Sequence, residues 1–233
     1  MYQRSLILCA LVLAVAAPAA ADTFDVALAK AHEIGVSDLS SLLWARTGGG
    51  CSDARDDADR LACREVAAAV AGDTAGKLYY MQLTPKITAG AYNKRKRSLP
   101  LEAGSCLLCD GLDIDGKTTW VVGRVDPSKG LGPLRRTTMV FKSRDEAKRF
   151  VTKSLPRLVG EFLFTVPGEI GRFKQGNDEG VYIEVVSYRI YDPCTGEIAL
   201  SKPKLADVQP EPKACAKAPK APEAPKAPAP SGE

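Results

Sequence analysis

Six cysteines, Cys51, Cys63, Cys106, Cys109, Cys194 and Cys215, stand behind an apolar N-terminal stretch that holds a seventh, Cys9. This arrangement limits the fold more than any other feature, because an even set of cysteines in an exported chain reads as a disulfide framework. The stretch itself reads as a secretory signal. Arg4 gives a short positive start, Ser5 to Ala17 is apolar, and Ala19-Ala20-Ala21 offers the small residues at which a signal peptidase cuts. Residues 1–21 are therefore expected as a cleaved signal peptide, with Asp22 as the mature N-terminus. Leu8 is too large to precede a lipidated Cys9. No run of about 18 apolar residues follows the leader, so no transmembrane span is expected after cleavage. The expected location is the periplasm or the extracellular space.

Six cysteines allow about 15 complete pairings, and sequence selects none of them. Proximity favours Cys51–Cys63, Cys106–Cys109 and Cys194–Cys215, with crosswise pairings left open. Cys106-Leu107-Leu108-Cys109 is the one motif that invites a chemical reading. In thiol oxidoreductases such a pair opens a helix, whose N-terminus lowers the thiol pKa. Here Asp110-Gly111-Leu112-Asp113-Ile114-Asp115-Gly116 follows, which signals turns and no helix. A structural disulfide is favoured over a redox pair or a metal ligand.

The chain carries 32 basic and 28 acidic residues, and the leader removes only Arg4. So small a balance excludes a nucleic-acid partner, which draws a strongly basic domain. His32 is the only histidine, so a multi-histidine metal site is impossible. There is no G-x-S-x-G elbow. Asp113-Ile114-Asp115-Gly116 resembles part of a calcium loop, but Gly111 and Val122 stand where the first and last ligands belong. Glu161, Glu169, Glu179 and Glu184 leave carboxylate catalysis formally open. No metal and no cofactor is expected.

Residues Thr23 to Arg46 read as two short helices, and Gly48-Gly49-Gly50 breaks the chain. Asp53 to Ala71 is a helix with Ala58, Ala62, Val66 and Val70 along one side and Leu61 beside them. Strand composition follows at Leu78–Leu83, Ile87–Tyr92, Thr118–Val125 and Thr137–Phe141. Ser143 and Glu146 make a capping box. The apolar spacing behind it predicts one long packed amphipathic helix over about 144–164, kinked or restarted at Pro156. Val181 to Tyr191 and Glu197 to Leu200 read as a hairpin turning through Asp192-Pro193-Cys194-Thr195-Gly196. This turn resembles the D-x-x-T-G-E hairpin of envelope α/β domains such as those of the curli-secretion lipoproteins. The likeness covers the hairpin alone and implies no activity and no site residue.

After Pro203 the composition turns to Pro, Ala, Lys and Glu. Lys217, Lys220, Glu223 and Lys226 recur with three-residue spacing, each followed by Ala-Pro. Three residues per turn is the period of polyproline II, so these side chains share one edge. Residues 203–233 are expected as a disordered Pro/Ala/Lys-rich arm. Asn93-Lys94-Arg95-Lys96-Arg97 is the densest basic run, and Lys94, Arg95, Lys96 and Arg97 are the candidate contacts to an anionic envelope polymer or membrane surface.

The fold expected is α+β over a single domain, residues 22–202: an N-terminal helical part, a mainly antiparallel sheet, the long helix and a late hairpin. The favoured function is a non-enzymatic binding or scaffolding protein of the bacterial envelope. The alternative is a secreted enzyme, using either thiol redox chemistry or carboxylates.

Overall fold

The computed structural model of the chain describes residues 23–47, 51, 54–114, 117–126, 128, 132–168, 170–175, 178–202 and 210. The leader, Gly48-Gly49-Gly50, Cys215 and the proline repeats lie outside these residues. Helices α1 (Thr23–Leu28), α2 (Val36–Arg46) and α3 (Asp57–Thr74) make the expected N-terminal helical part. The Asp56 carboxylate starts α3 by accepting from the Asp59 N–H at 2.8 Å, a side-chain cap. Strand β1 (His32–Glu33), between α1 and α2, lies parallel to β2 (Tyr79–Leu83).

The remaining strands are β3 (Ile87–Ala89), β4 (Ser98–Ala103), β5 (Cys106–Ile114), β6 (Lys117–Arg124), β7 (Arg135–Val140), β8 (Val159–Thr165), β9 (Arg172–Gln175), β10 (Asp178–Tyr191) and β11 (Ile198–Lys202). The large sheet runs β1-β2-β8-β10-β6-β5, with β9 and β11 also on β10. Its pairs are mainly antiparallel; β1–β2 and β6–β10 are parallel. Strand β10 is the spine. Its first half lies between β6 and β9, and its second half between β8 and β11. A second sheet, β3-β4-β7, joins the same hydrophobic core through Leu99, Leu101 and Ala103.

The long helix expected over 144–164 does not form. Helix α4 spans only Arg144–Arg149, one wide π turn covers Phe150–Ser154, and a 3-10 turn at Leu155–Arg157 ends the helical path. Pro156 sits in that last turn, and Leu158 is already extended. From Val159 the chain is β8, with Phe162, Leu163 and Phe164 all almost completely buried. Spacing misled here because β8 is buried on both faces, with Glu161 its one charge. A short run of that kind fits helical and strand templates equally well. The capping box is present: Ser143 Oγ accepts from the Glu146 N–H at 3.1 Å, and Glu146 Oε2 accepts from the Lys142 N–H at 2.6 Å.

Helix α3 departs from expectation in its packing. Ala67 is its one buried residue among those described, while Leu61 and Val66 are 60% and 56% exposed. The helix meets α2 rather than the sheet, and the Cys51–Cys63 disulfide, with Cα atoms 5.6 Å apart, ties its start to the segment after α2.

The late hairpin forms as expected, with Gly196 at φ 72, a left-handed conformation that glycine takes without strain. Arg157 grips Asp192 at its corner, with Nη2 to Oδ2 at 2.5 Å and Nε to Oδ1 at 2.8 Å. Burial alone raises the Asp192 pKa, but hydrogen bonds from Arg157 and the Cys194 N–H outweigh it and hold the carboxyl below its usual range. A carboxyl with a lowered folded pKa adds stability above its unfolded value of about 3.9 and loses it as pH falls through the folded value. Asp192→Asn is therefore expected to be less stable than wild type at neutral pH. Urea midpoints measured down the pH scale should converge for the two proteins as the carboxyl protonates.

Candidate functional site

Lys94, Arg95, Lys96 and Arg97 form the tip of the β3–β4 hairpin. Asn93 and Ser98 close the loop by exchanging both backbone bonds, N–H to O at 2.8 and 3.1 Å. Asn93 Oδ1 also accepts from the Lys96 N–H at 2.9 Å, which fixes the turn from inside. Arg97 then takes φ 49, making it the one non-glycine residue with positive φ among those described. For an L-residue this left-handed conformation costs about 1–2 kcal/mol, and glycine would avoid the cost. The four basic side chains are exposed, and none is in an ion pair among the described residues. Arg97 O accepts from the Phe141 N–H at 2.8 Å, which brings exposed Lys142 and Arg144 to the same end of the sheet. Val140, 75% exposed, pairs in register with Ser98 at the base of the tip. Sequence reasoning found the run; it could not show that the backbone is held in a strained turn presenting it.

Cys106 and Cys109 are bonded within β5, at the edge of the large sheet. Their Cα atoms are 5.5 Å apart, whereas three residues of regular strand span about 10 Å. The strand is gathered up: Cys106 to Leu112 faces only Val122 back to Thr119, and Gly111 at φ 80 completes the excursion. An irregular edge of this kind discourages pairing with another chain. Strand continues after Cys109, so the pair does not open a helix. Cys194 is also disulfide-bonded; the expected pairing with Cys215 lies outside the described residues.

The candidate carboxylates do not converge. Glu179 faces Lys174 at 3.7 Å on the surface, and Glu184 faces Arg124 at 3.9 Å. Glu169 lies outside the described residues. Glu161 is buried on β8, where it accepts from Arg189 Nε at 2.5 Å, Tyr191 OH at 3.0 Å and Tyr80 OH at 3.4 Å. Arg189 reaches on to Asp25 Oδ1 at 2.8 Å and lies over the Phe24 ring at 4.6 Å. Burial, reinforced by the Glu161 charge, pushes Tyr191 up to about 12 and raises Tyr80 as well. This group braces α1, β2, β8 and β10 together. His32 is exposed on β1, its ring 6.3 Å from Tyr79. Among the described residues no three His, Cys, Asp or Glu side chains gather as a metal site, and no helix is long and apolar enough to cross a membrane.

One feature escaped sequence reasoning altogether. A cavity of about 610 Å³ opens between α2, α3, β2 and β5, with Trp44 and Tyr79 in its wall. It exists because α3 packs on α2 and stands off the sheet, and no periodicity in α3 reports that. No family model, curated protein or solved structure matches the chain.

Proposed function

We propose that this is an exported envelope protein of the periplasm or cell exterior that binds an anionic surface through the Lys94–Arg97 hairpin tip and catalyses no reaction. The observation that carries the reading is Arg97. A position suited to glycine holds a fourth consecutive cation, so charge is kept at a cost in backbone strain. The disulfides support the exported location.

Magnitudes place the tip as one contact among several. Each Lys or Arg at an anionic surface contributes about 1 kcal/mol, so four give roughly 4 kcal/mol, an affinity of about 1 mM. Lys217, Lys220 and Lys226 of the proline-rich segment supply a second weak site at raised effective concentration.

The test is retention on vesicles of phosphatidylglycerol and phosphatidylcholine and on peptidoglycan, at low and high salt. Arg97→Gly should stabilise the fold by about 1 kcal/mol, by relieving strain, yet weaken retention. Neutralising all four side chains should abolish the salt-sensitive part. Retention unchanged in both variants would leave the tip without this role.

A further inference from the structure

The outer face of the small sheet, beside the basic tip, departs from the usual patterning of a solvent-facing strand. Residues of β7 alternate, with Arg136, Thr138 and Val140 exposed and Arg135, Thr137 and Met139 half-buried. The outward row of a strand with one solvated face is ordinarily polar. Here it ends on Val140, which is 75% exposed, more than any other large apolar side chain among the described residues.

Val140 has an apolar neighbour on that face. Ser98 of β4 pairs with Val140 and Pro100 with Thr138, so the exposed proline ring lies diagonally from the valine, about 7–8 Å away. Gly90 leaves that ring uncovered. Its N–H donates to Pro100 O at 2.8 Å, and a Cβ on it would lie 3.3 Å from the proline's Cβ and Cγ. The nearest charges across this face, Glu102 and Arg136, neutralise each other at 2.6 Å.

Unpaired cations border the patch at the tip end. Arg97 O accepts from the Phe141 N–H, so the tip abuts the residue that follows Val140. Lys94, Arg95, Lys96 and Arg97 lead into β4, and Lys142 and Arg144 follow β7. All six are exposed, and none is in an ion pair among the described residues. The acidic residues beside them are Asp145 and Glu146, and Glu146 Oε2 already accepts from the Lys142 N–H at 2.6 Å.

A lone exposed valine needs no explanation. A valine and a bare proline ring bordered by six cations match a surface that is anionic outside and apolar just beneath. A hydrated polymer such as peptidoglycan supplies charge and nothing for the apolar groups. A bilayer supplies both, because side chains that sink about 5–10 Å reach the boundary between head groups and acyl chains.

We propose that the anionic surface met by the tip is a phospholipid bilayer, with Val140 and Pro100 seated below its phosphates and the six cations against them. This rests on the anionic-surface reading of the tip and names that surface.

The experiment measures retention of residues 22–233 on vesicles of phosphatidylglycerol and phosphatidylcholine and on peptidoglycan, for wild type, Val140→Ser and Val140→Trp. Both substitutions fall at an exposed site and so are compatible with folding. Val140→Ser should weaken vesicle retention about fivefold and leave retention on peptidoglycan unchanged. Val140→Trp should bind vesicles at least as tightly as wild type, because indole favours the head-group boundary. The introduced indole should also be quenched by lipids brominated high on their acyl chains, over the background of Trp44 and Trp120. Unchanged vesicle retention in Val140→Ser, a parallel loss on peptidoglycan, or an unquenched introduced indole would overturn the proposal. If neutralising Lys94 to Arg97 still lowered retention in that event, binding to an anionic surface would stand without the bilayer. If that neutralisation changed nothing, both readings would fall.

Discussion

Replacing Arg189 with leucine is expected to cost about 3–5 kcal/mol, a large share of the roughly 5–15 kcal/mol that holds an ordinary domain folded. Arg189 and Glu161 are each 7% exposed and stand directly opposite one another on β10 and β8. Removing the guanidinium leaves a carboxylate in the core with only two tyrosine hydroxyls to solvate it. It also removes one contact each of Asp25 and the Phe24 ring, so α1 should lose protection from amide exchange. Replacing both partners, Arg189→Leu with Glu161→Leu, removes the orphaned charge and should recover much of the loss. Urea unfolding of the two single variants and the double variant measures this coupling. Purely additive losses would mean that the pair is not the brace described.

Alanine at Phe162, Leu163 and Phe164 in turn is expected to give three consecutive large losses, about 2–5 kcal/mol each. Phe162 and Phe164 lie on one face of β8, where Phe162 stacks on Tyr188 at 5.8 Å and Phe164 on Tyr79 at 5.8 Å. Leu163 lies on the other face and is equally buried. Had 144–164 been one amphipathic helix, Phe164 would have turned toward solvent and its replacement would have cost little. Thermal or urea unfolding of the three variants separates the two cases.

That segment shows where sequence reasoning stops. Helices α1 to α3, the strands β2, β6, β7 and β10, the late turn and the capping box were all legible, because each carries its own local signal. Strand β8 was hidden because both its faces are buried and alternation vanishes. Strand β4 was hidden by Pro100, which argues against an inner strand. The structure resolves this locally: Pro100 O accepts from the Gly90 N–H at 2.8 Å, just past the end of β3, so the side that lacks a donor is where pairing stops. Strand β5 was hidden because Asp110-Gly111 reads as a turn, and in the fold it is an excursion gathered by the Cys106–Cys109 bond.

The candidate sites divide in the same way. The basic run is a property of consecutive residues and was visible. The cavity joins Asp38, Val70, Tyr79 and Asp113, which only the fold brings together. Glu161 stood in the sequence only as one of four scattered carboxylates, and its pairing with Arg189 shows only in the register of β8 against β10.

The account stands most directly on what the hairpin tip touches. Amide NMR of residues 22–233 should be recorded with and without bicelles containing phosphatidylglycerol. Broadening and shifts concentrated at Asn93–Ser98 and Val140–Arg144, reversed by salt, are the predicted result. Perturbations centred elsewhere while Lys94 to Arg97 stay unchanged, or no perturbation at all, would contradict it.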